Sequence, residues 1–343
     1  MGKIFLRHLS LLVLTLSVLS LFSFSLAFLF PGDPLTNLTG VRAENQEAYS
    51  HLAASYHING SLFSQYWHYL GQLFVGNWGI SFSSGLPLAE EINRSLAASI
   101  ELSAYALVFA FIIGLPLGFV AGLKHHKIID YSLLSASVIG YSIPVFWLAL
   151  ILILIFSLQL GWFPLSGRIG LLFDIPYKSG FILLDILLSD LPNKSDAFYN
   201  ALRHLVLPTL SIAIVTSTIV LRTSRRSVIE VMNSDYIQAA YARGLSSRQV
   251  LLKHGVKNAL IPILPLLVMQ FTTLLTNAMI VETIFSWPGI GNALIQAIYQ
   301  RDFPAIRAGM LAVSVLVLTF IISMDLMIRL IDPIRRRPEN ATA

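Results

Sequence analysis

Long runs of apolar residues alternate along the chain with shorter polar segments. A helix that crosses a bilayer needs ~20 mostly apolar residues. Six runs approach that length: 9–30, 102–123, 131–160, 204–221, 259–281 and 308–324. A further apolar stretch, 181–191, is too short to span and is interrupted by Asp185 and Asp190, so we predict a helix lying along the membrane interface. The pattern predicts an all-α integral membrane protein with six transmembrane helices.

Composition and charge refine this picture. Hydrophobic residues make up 55% of the chain and charged residues 12%, about half the charged fraction that is usual in soluble domains. Cysteine is absent, which excludes disulfides, thiolate catalysis and cysteine-ligated metals. With the N-terminus inside, fifteen of the 23 Lys and Arg residues fall on the cytoplasmic side. This bias predicts an N-in, C-in orientation and explains the net charge of +5 without a nucleic acid partner.

The first apolar run has a second interpretation. Lys3 and Arg7, followed by an apolar stretch and Ser25-Leu26-Ala27, could form a cleavable signal peptide. Cleavage would leave an odd number of spans and would move the C-terminus outside, against the distribution of Lys and Arg. We therefore predict a retained first helix.

The predicted spans divide the chain into successive segments. An N-terminal transmembrane helix (1–30) is followed by an outer cap segment (31–95), a five-helix core (96–331) and a basic cytoplasmic tail (332–343). The cap segment is predicted to fold because disordered segments are usually poor in aromatic residues. Its aromatic residues in a mixed polar setting are Tyr56, Tyr66, Trp67, Tyr69 and Trp78.

The connection 222–262 is unusually long for a loop between two spans, and it is basic. Ser234 or Asp235 is suited to cap a short helix, and Gly244 suits the left-handed position that ends one. Ser246 then stands three residues before Gln249, which is the spacing of a capping box at the start of a second helix. A structured helix–turn–helix on the cytoplasmic side predicts a docking surface for a partner protein.

This connection resembles the EAA loop of ABC-transporter permeases, in which a coupling helix sits in a groove of an ATPase subunit. Gln238-Ala239-Ala240, three residues and Gly244 carry the resemblance, although the general pattern has Glu where this chain has Gln238. The stretch from Ala242 to Pro262 is similar to the dipeptide/oligopeptide branch of the family. The resemblance implies that the coupling loop includes Gln238, Ala239, Ala240, Gly244, Leu245, His254, Asn258 and Pro262.

Further blocks resemble the same branch in the same order along the chain. They are 31–34 (Pro-Gly-Asp-Pro), 141–148, 160–167, 282–291 and 301–304. Within the branch, 180–185 and 270–280 are most similar to the B-type permeases of Sap systems. In that family these permeases are linked to antimicrobial-peptide uptake and resistance or to putrescine transport. The dipeptide and oligopeptide importers of the branch remain an alternative.

The resemblance also implies partners and a location. The chain would pair with a second, C-type permease and two ATPase subunits that use ATP-Mg, and it would receive substrate from a periplasmic binding protein in the bacterial inner membrane. We predict no catalytic residue and no cofactor in this chain. It has no Gly-x-x-x-x-Gly-Lys-Ser/Thr run to bind nucleotide phosphates.

Ionisable residues at membrane depth are candidates for a transport pathway. Glu101 and Glu282 stand at the outer ends of their predicted spans, where water or headgroups could equally solvate them. Trp287, Pro288 and Gly289 predict a rigid turn at the outer mouth, with the indole anchored at the membrane interface. No metal site is predicted, because the spacing of the outer-loop histidines matches no metal motif.

Two functions from other classes would explain part of the sequence. An ion-driven secondary transporter would have charged residues near the middle of several spans, but these span centres are nearly free of charge. A membrane scaffold would explain a docking loop but not the ordered blocks. The 114–118 run, Gly-Leu-Pro-Leu-Gly, is interpreted as close helix packing or a kink and not as a binding site.

Overall fold

The computed structural model describes residues 2–41, 46–58 and 60–331. Within these ranges the chain is helical, apart from turns, the irregular connection 160–181 and an isolated β-bridge between Ile80 and Pro87. The predicted tail 332–343 lies outside the described residues. In chain order the helices are α1 (Gly2–Leu29), α2 (Pro34–Thr39), α3 (Gln46–Ser55), α4 (Leu62–Phe74), α5 (Leu88–Leu123), α6 (Ile128–Ser142), α7 (Val145–Leu152), α8 (Ile182–Leu188), α9 (Lys194–Met232), α10 (Asp235–Ala242), α11 (Ser247–Val250), α12 (Val256–Leu260), α13 (Leu264–Ile284), α14 (Ile290–Gln300) and α15 (Phe303–Ile331).

By length and composition, four helices in the described ranges could cross a membrane: Leu9–Leu29, Leu88–Leu123, Lys194–Met232 and Phe303–Ile328. Two bent pairs raise the number to six if each pair counts as one span. The first is α6 with α7 and its π-helical extension Ile153–Gln159, bent by 94°, and the second is Ser247–Leu266 with Val268–Ile284, bent by 48°. The expected all-helical membrane architecture is therefore present.

The described helices differ from the predicted runs at two places. The run 131–160 is not one straight helix, because Pro144 disfavours helical geometry in the residue before it, and Ile143 is accordingly extended (φ −81°, ψ 120°). The connection 222–262 is not a separate loop either. Helix α9 continues to Met232, and the chain is helical from Ser247 onward through short π- and 3₁₀-helical turns into α13.

The chain forms two compact units. The first contains the residues up to Ser99, Tyr177–Phe181 and Pro288–Ile322. The second contains Ile100–Pro176, Ile182–Trp287 and the residues from Ser323 onward. Helix α5 passes from the first unit into the second, so a unit boundary falls within a single helix.

In the first unit, the Pro31–Pro34 block starts α2. The carboxylate of Asp33 accepts a hydrogen bond from the backbone N–H of Thr36 at 2.8 Å, and Pro34 occupies the first turn, where its missing N–H costs nothing. Gly40 ends the helix at φ +78°, and a Cβ there would lie 1.7 Å from the carbonyl oxygen of Ile80. Only glycine fits this close approach.

Apolar clusters join the helices of the first unit. Phe24 and Ala27 of α1 pack with Leu38 and Tyr69, so the cap helices and the first predicted span share a core. A second cluster joins the start of α5, α14 and α15 through Leu88, Ile92, Ile290, Ala308 and Ala312.

A buried cation supports the first unit as well. Arg307 is 1% exposed, donates a hydrogen bond to the carbonyl oxygen of Leu38 at 2.7 Å and lies with its guanidinium 5.0 Å from the centroid of the Tyr69 ring. Asp302, also buried, accepts hydrogen bonds from the hydroxyls of Ser81 and Ser83 at 2.6 and 3.1 Å.

Helix α9 is the most buried of the four long candidate spans and forms the centre of the second unit. Gly114, Gly118 and Gly122 of α5 lie along it at a spacing of four residues. A Cβ at Gly118 would stand 2.5 Å from the Cβ of Ser224, and one at Gly122 would stand 2.7 Å from that of Val228. The glycine run therefore packs two helices closely, as interpreted from the sequence.

Candidate functional site

Residues 234–260, here called the elbow, contain the structure predicted from the cytoplasmic connection. Helix α10 ends at Ala242 with Arg243 as its C-cap, and Gly244 follows at φ +84° and donates its N–H to the carbonyl oxygen of Tyr241 at 2.9 Å. Apart from its chain neighbours, no atom of the described residues lies within 4 Å of where a Cβ of Gly244 would be. The glycine is thus required by backbone conformation and leaves an open notch at its surface.

The second half of the elbow begins with the predicted capping box. The Ser246 hydroxyl accepts from the N–H of Gln249 at 3.4 Å, and the Gln249 side chain accepts from the N–H of Ser246 at 3.0 Å. The expected side-chain cap on α10 is absent among the described contacts of Ser234, because its hydroxyl donates back to the carbonyl oxygen of Val231 at 2.6 Å. A serine can always make this competing local bond.

A small core holds the two halves together. Ile237, Ala240 and Val250 are buried against one another, with Leu245 packed at the edge. The resemblance includes Ala240 in the coupling loop, and its side chain faces the elbow's own core. Gln238 and Ala239 are exposed on the other side of α10.

The remaining coupling-loop residues lie beyond this core. Asn258 donates its side-chain N–H to the Tyr236 hydroxyl at 3.1 Å, which holds α12 to the start of α10. His254 is half-buried in the π-helical turn, and Pro262 is exposed in the 3₁₀ turn before α13. The outward surface of the elbow therefore consists of Gln238, Ala239, Gly244 and neighbouring polar side chains.

A charge cluster that the sequence interpretation missed lies where α6 begins. Arg225 donates to both carboxylate oxygens of Asp130, at 2.5 and 2.8 Å, and His125 lies 3.1 Å from the same carboxylate. Asp130 is fully buried. His125 stands in the basic turn before α6, and the acidic residue five positions later provides it with a partner.

Glu101 and Glu282 are buried within the second unit, at 1% and 0% exposure, so water does not solvate them there. Arg168 donates to the Glu101 carboxylate through both Nε and Nη2, and the N–H of Leu183 approaches its other oxygen at 3.5 Å. A carboxylate in apolar surroundings needs such partners. The sequence shows Arg168 only as an isolated cation in an outer segment, and this gives no sign of its pairing with Glu101.

Trp287 does not lie at an exposed membrane interface. Its side chain is fully buried, with the guanidinium of Arg168 5.5 Å from the ring centroid. The turn itself is present: Ser286 has φ +50°, and the N–H of Trp287 donates to the carbonyl oxygen of Glu282 at 2.8 Å. After Pro288, Gly289 occupies the N-cap position of α14.

Metal binding has no support in the described ranges, where no group of three His, Asp or Glu side chains is arranged to hold an ion. The rings of His57 and His68 lie 5.1 Å apart, centroid to centroid. Burial and the neighbouring His57 lower the pKa of His68.

Comparisons with known proteins agree with this arrangement. Residues 114–337 match the family described as the binding-protein-dependent transport system inner membrane component, and residues 1–87 match the N-terminal family of the same membrane components. The MetNI methionine ABC transporter, solved in inward-facing conformations, shares the fold with a TM-score of 0.53 at 15% identity, over 71% of this chain and 97% of that chain.

Relatives match along almost the whole chain. The di/tripeptide transport system permease DppB of Pseudomonas aeruginosa is 39% identical over 95% of this chain and 96% of its own length. The putrescine export system permease SapB of Escherichia coli K12 is 38% identical over 97% of both chains. The dipeptide transport system permease DppB of the same strain is 32% identical over 97% of this chain and 98% of its own. This chain belongs to the inner-membrane permease components of binding-protein-dependent transport systems, in the ABC-transporter branch that includes DppB and SapB.

Proposed function

We propose that this chain forms one half of the pore of an ABC transporter that carries peptides across the bacterial inner membrane. It has six spans with both termini in the cytoplasm, and a second, C-type permease supplies the other half. Two ATPase subunits hydrolyse ATP-Mg outside this chain, and a periplasmic binding protein delivers the substrate. Closure of the ATPases moves the elbow and rocks the spans between inward- and outward-facing states.

The outward face of the elbow is the observation that carries the proposal. Gln238 and Ala239 are exposed on a short helix whose other face is fixed by its own core, and Gly244 leaves an open notch at its end. A short, fixed helix with small exposed side chains allows a partner's groove to approach its backbone closely. The basic residues of the segment fit the cytoplasmic side.

The cargo proposed is a peptide, because one relative described above is named for di/tripeptide transport and another for dipeptide transport. A cationic amine is the alternative, since the SapB relative, of nearly equal identity, is named for putrescine export. Transport assays with each class of cargo, in vesicles that contain the complete transporter, distinguish the two.

Glu101, Glu282 and Trp287 are proposed to support the outer end of the pore from within the second unit. Because all three side chains are buried, we expect them to lie behind the surface that a substrate would touch, and the contacts with Arg168 support Glu101 and Trp287. Their substitution is therefore expected to reduce the amount of folded protein before it changes selectivity.

Co-purification with a matched pair of variants tests the proposal. Ala239 is exposed on the elbow and Ala54 is exposed on α3, so Ala239→Trp and Ala54→Trp add the same bulk at different surfaces. The tagged chain is expressed with its chromosomal neighbours and purified in mild detergent. We expect the wild type and Ala54→Trp to bring down ATPase subunits and a second permease, and Ala239→Trp to lose the ATPases alone. A chain that purifies alone and transports in vesicles without ATP would establish an ion-driven carrier instead.

A further inference from the structure

Helix α13 has an outward face of unusual composition for a candidate membrane span. Five residues on it are exposed: Met269, with Thr272 and Thr273 three and four positions later, then Thr276 and Ile280 at seven and eleven. Residues at this spacing lie on one side of a helix. We call this surface the threonine face.

The opposite side of the same helix is packed into the second unit. Phe271, Leu274, Leu275, Ala278 and Val281 are all buried. The side of α13 that meets protein is mostly apolar, although it also carries Gln270 and Glu282, and the outward side carries three threonine hydroxyls.

Helix α1 provides an internal comparison. Its exposed residues over the predicted span are almost all large and apolar, among them Leu11, Leu14, Val18 and Phe22. Acyl chains solvate such a surface well, whereas they offer no hydrogen-bond partner to the three threonine hydroxyls of α13. The two helices of one protein thus have outward faces suited to different surroundings.

The hydroxyl groups of the threonine face retain capacity for hydrogen bonding. Thr273 donates to the carbonyl oxygen of Met269 at 3.2 Å, and Thr276 donates to that of Thr272 at 3.3 Å. Because the donor protons of Thr273 and Thr276 are used within the helix, the lone pairs of their hydroxyl oxygens remain available as acceptors. The face presents acceptors and no ionisable side chain.

We propose that the threonine face lines the substrate path and binds translocated peptides through their backbone N–H groups. This inference rests on the proposed function and adds to it the residues that contact cargo. Backbone amides are common to all peptides, and Met269 at 68% exposure supplies a flexible, polarizable contact that adapts to different side chains. The face therefore selects for a peptide backbone and tolerates varied side chains, instead of selecting by charge.

The absence of cysteine from the whole sequence gives a direct test. Single variants Thr273→Cys and Thr276→Cys are made without altering any other position. Leu274→Cys on the buried side of α13 and Val18→Cys on the apolar face of α1 are the controls. The complete transporter in proteoliposomes is treated with a charged, membrane-impermeant methanethiosulfonate, which reacts with the thiolate form in water.

We expect Thr273→Cys and Thr276→Cys to react at least about tenfold faster than either control, because thiol modification requires water and ionisation. Modification should block transport. A mixture of dipeptides should slow the modification, because bound substrate covers the thiol. Labelling of Thr273→Cys no faster than Val18→Cys would show a lipid-facing surface and would overturn the inference. Oxidative cross-linking of Thr273→Cys to the second permease, with no labelling in the complex, would show a subunit interface and would overturn it equally.

A second pair of variants tests selection without labelling. Thr273→Val keeps the shape but removes the acceptor, while Thr273→Ser keeps the acceptor. Thr273→Val should raise the KM for dipeptide transport about three- to tenfold, as expected for one lost hydrogen bond, and Thr273→Ser should stay near wild type. Equal KM values in both variants would contradict the inference. ATPase co-purification and ATP-dependent transport are measured first for each variant. A failure of the proposed ABC-permease function is thereby distinguished from a failure of the threonine-face inference.

Discussion

The guanidinium of Arg225 binds the buried carboxylate of Asp130 through two hydrogen bonds, from Nε to Oδ1 at 2.5 Å and from Nη2 to Oδ2 at 2.8 Å. The pair joins the start of α6 to the last part of α9, shortly before the elbow begins. Bidentate pairs of this kind fix orientation as well as distance. The contact therefore fixes the position of the end of α9 nearest to the elbow.

Removal of the cation is expected to destabilise the protein strongly. Arg225→Met leaves the carboxylate of Asp130 buried with only His125 and the N–H of His126 beside it. Breaking one partner of a buried pair costs about 3 kcal/mol or more. Thermal unfolding in detergent should show the loss, and Arg226→Met, at the exposed neighbouring arginine, should change stability by less than about 0.5 kcal/mol. Recovery in the double variant Asp130→Asn/Arg225→Met is expected, and its absence would contradict a pairwise origin.

The glycine seam between α5 and α9 should not tolerate a methyl group. A Cβ at Gly118 would stand 2.6 Å from the carbonyl oxygen of Leu221 as well as close to Ser224, so Gly118→Ala forces the helices apart at a cost of about 1–3 kcal/mol. Gly71 in α4 is also helical, but among the described residues no atom beyond its chain neighbours and its own helix backbone lies within 4 Å of the place that an added methyl group would occupy. Gly71→Ala should therefore leave stability unchanged or raise it by about 0.5–1 kcal/mol. Unfolding midpoints of the two variants, measured side by side, check the contrast.

Charge at the elbow notch should uncouple the ATPase from transport. Gly244→Glu places bulk and a negative charge on the proposed docking surface, and the left-handed conformation adds a strain of about 1–2 kcal/mol. Gly76→Glu is a close control, because Gly76 also has a positive φ (+87° against +84°) and open space around it. We expect both variants to insert and to lose similar stability, but only Gly244→Glu to lose transport and transport-dependent ATP hydrolysis. Normal coupling in Gly244→Glu would disprove the docking role.

Acid should loosen the segment that contains α4. The pKa of His68 is lowered by burial and by His57, and its Nε2 lies 3.2 Å from the amide nitrogen of Gln72. Because the unfolded state takes up a proton at a higher pH than the folded state, stability is present above the ordinary histidine pKa and is lost as the pH falls through the lower folded value. The unfolding temperature of the wild type should fall between about pH 7.5 and pH 5. His68→Gln should show a smaller fall, and an unchanged pH dependence would exclude His68 as its source.

Local features of the elbow were predictable because they depend on neighbouring residues. The left-handed Gly244 and the Ser246–Gln249 capping box follow from the conformational limits of a few consecutive positions. The helix boundaries were less predictable, because a hydropathy pattern detects only the apolar part of a helix. Helix α5 begins at Leu88, and its first turn contains Glu90 and Glu91, which the pattern assigned to the cap segment.

The charge pairs could not be predicted because their members are far apart in the sequence. Asp130 and Arg225 are separated by 95 positions, and Glu101 and Arg168 by 67. A glutamate beside an apolar run looks the same in the sequence whether it ends in water or against a distant arginine. The packing of other helices decides between the two, and it buries Glu101.

Helix α9 also sets how far the elbow stands from the membrane. Its apolar part ends at Leu221, and the segment from Arg222 to Met232 adds about 16 Å of helix at 1.5 Å per residue. In the proposed orientation, this stalk carries the docking surface past the lipid headgroups into the aqueous phase. A soluble ATPase can therefore bind and release the permease without itself inserting into lipid. Shortening the stalk by one helical turn would bring the bound ATPase against the bilayer surface.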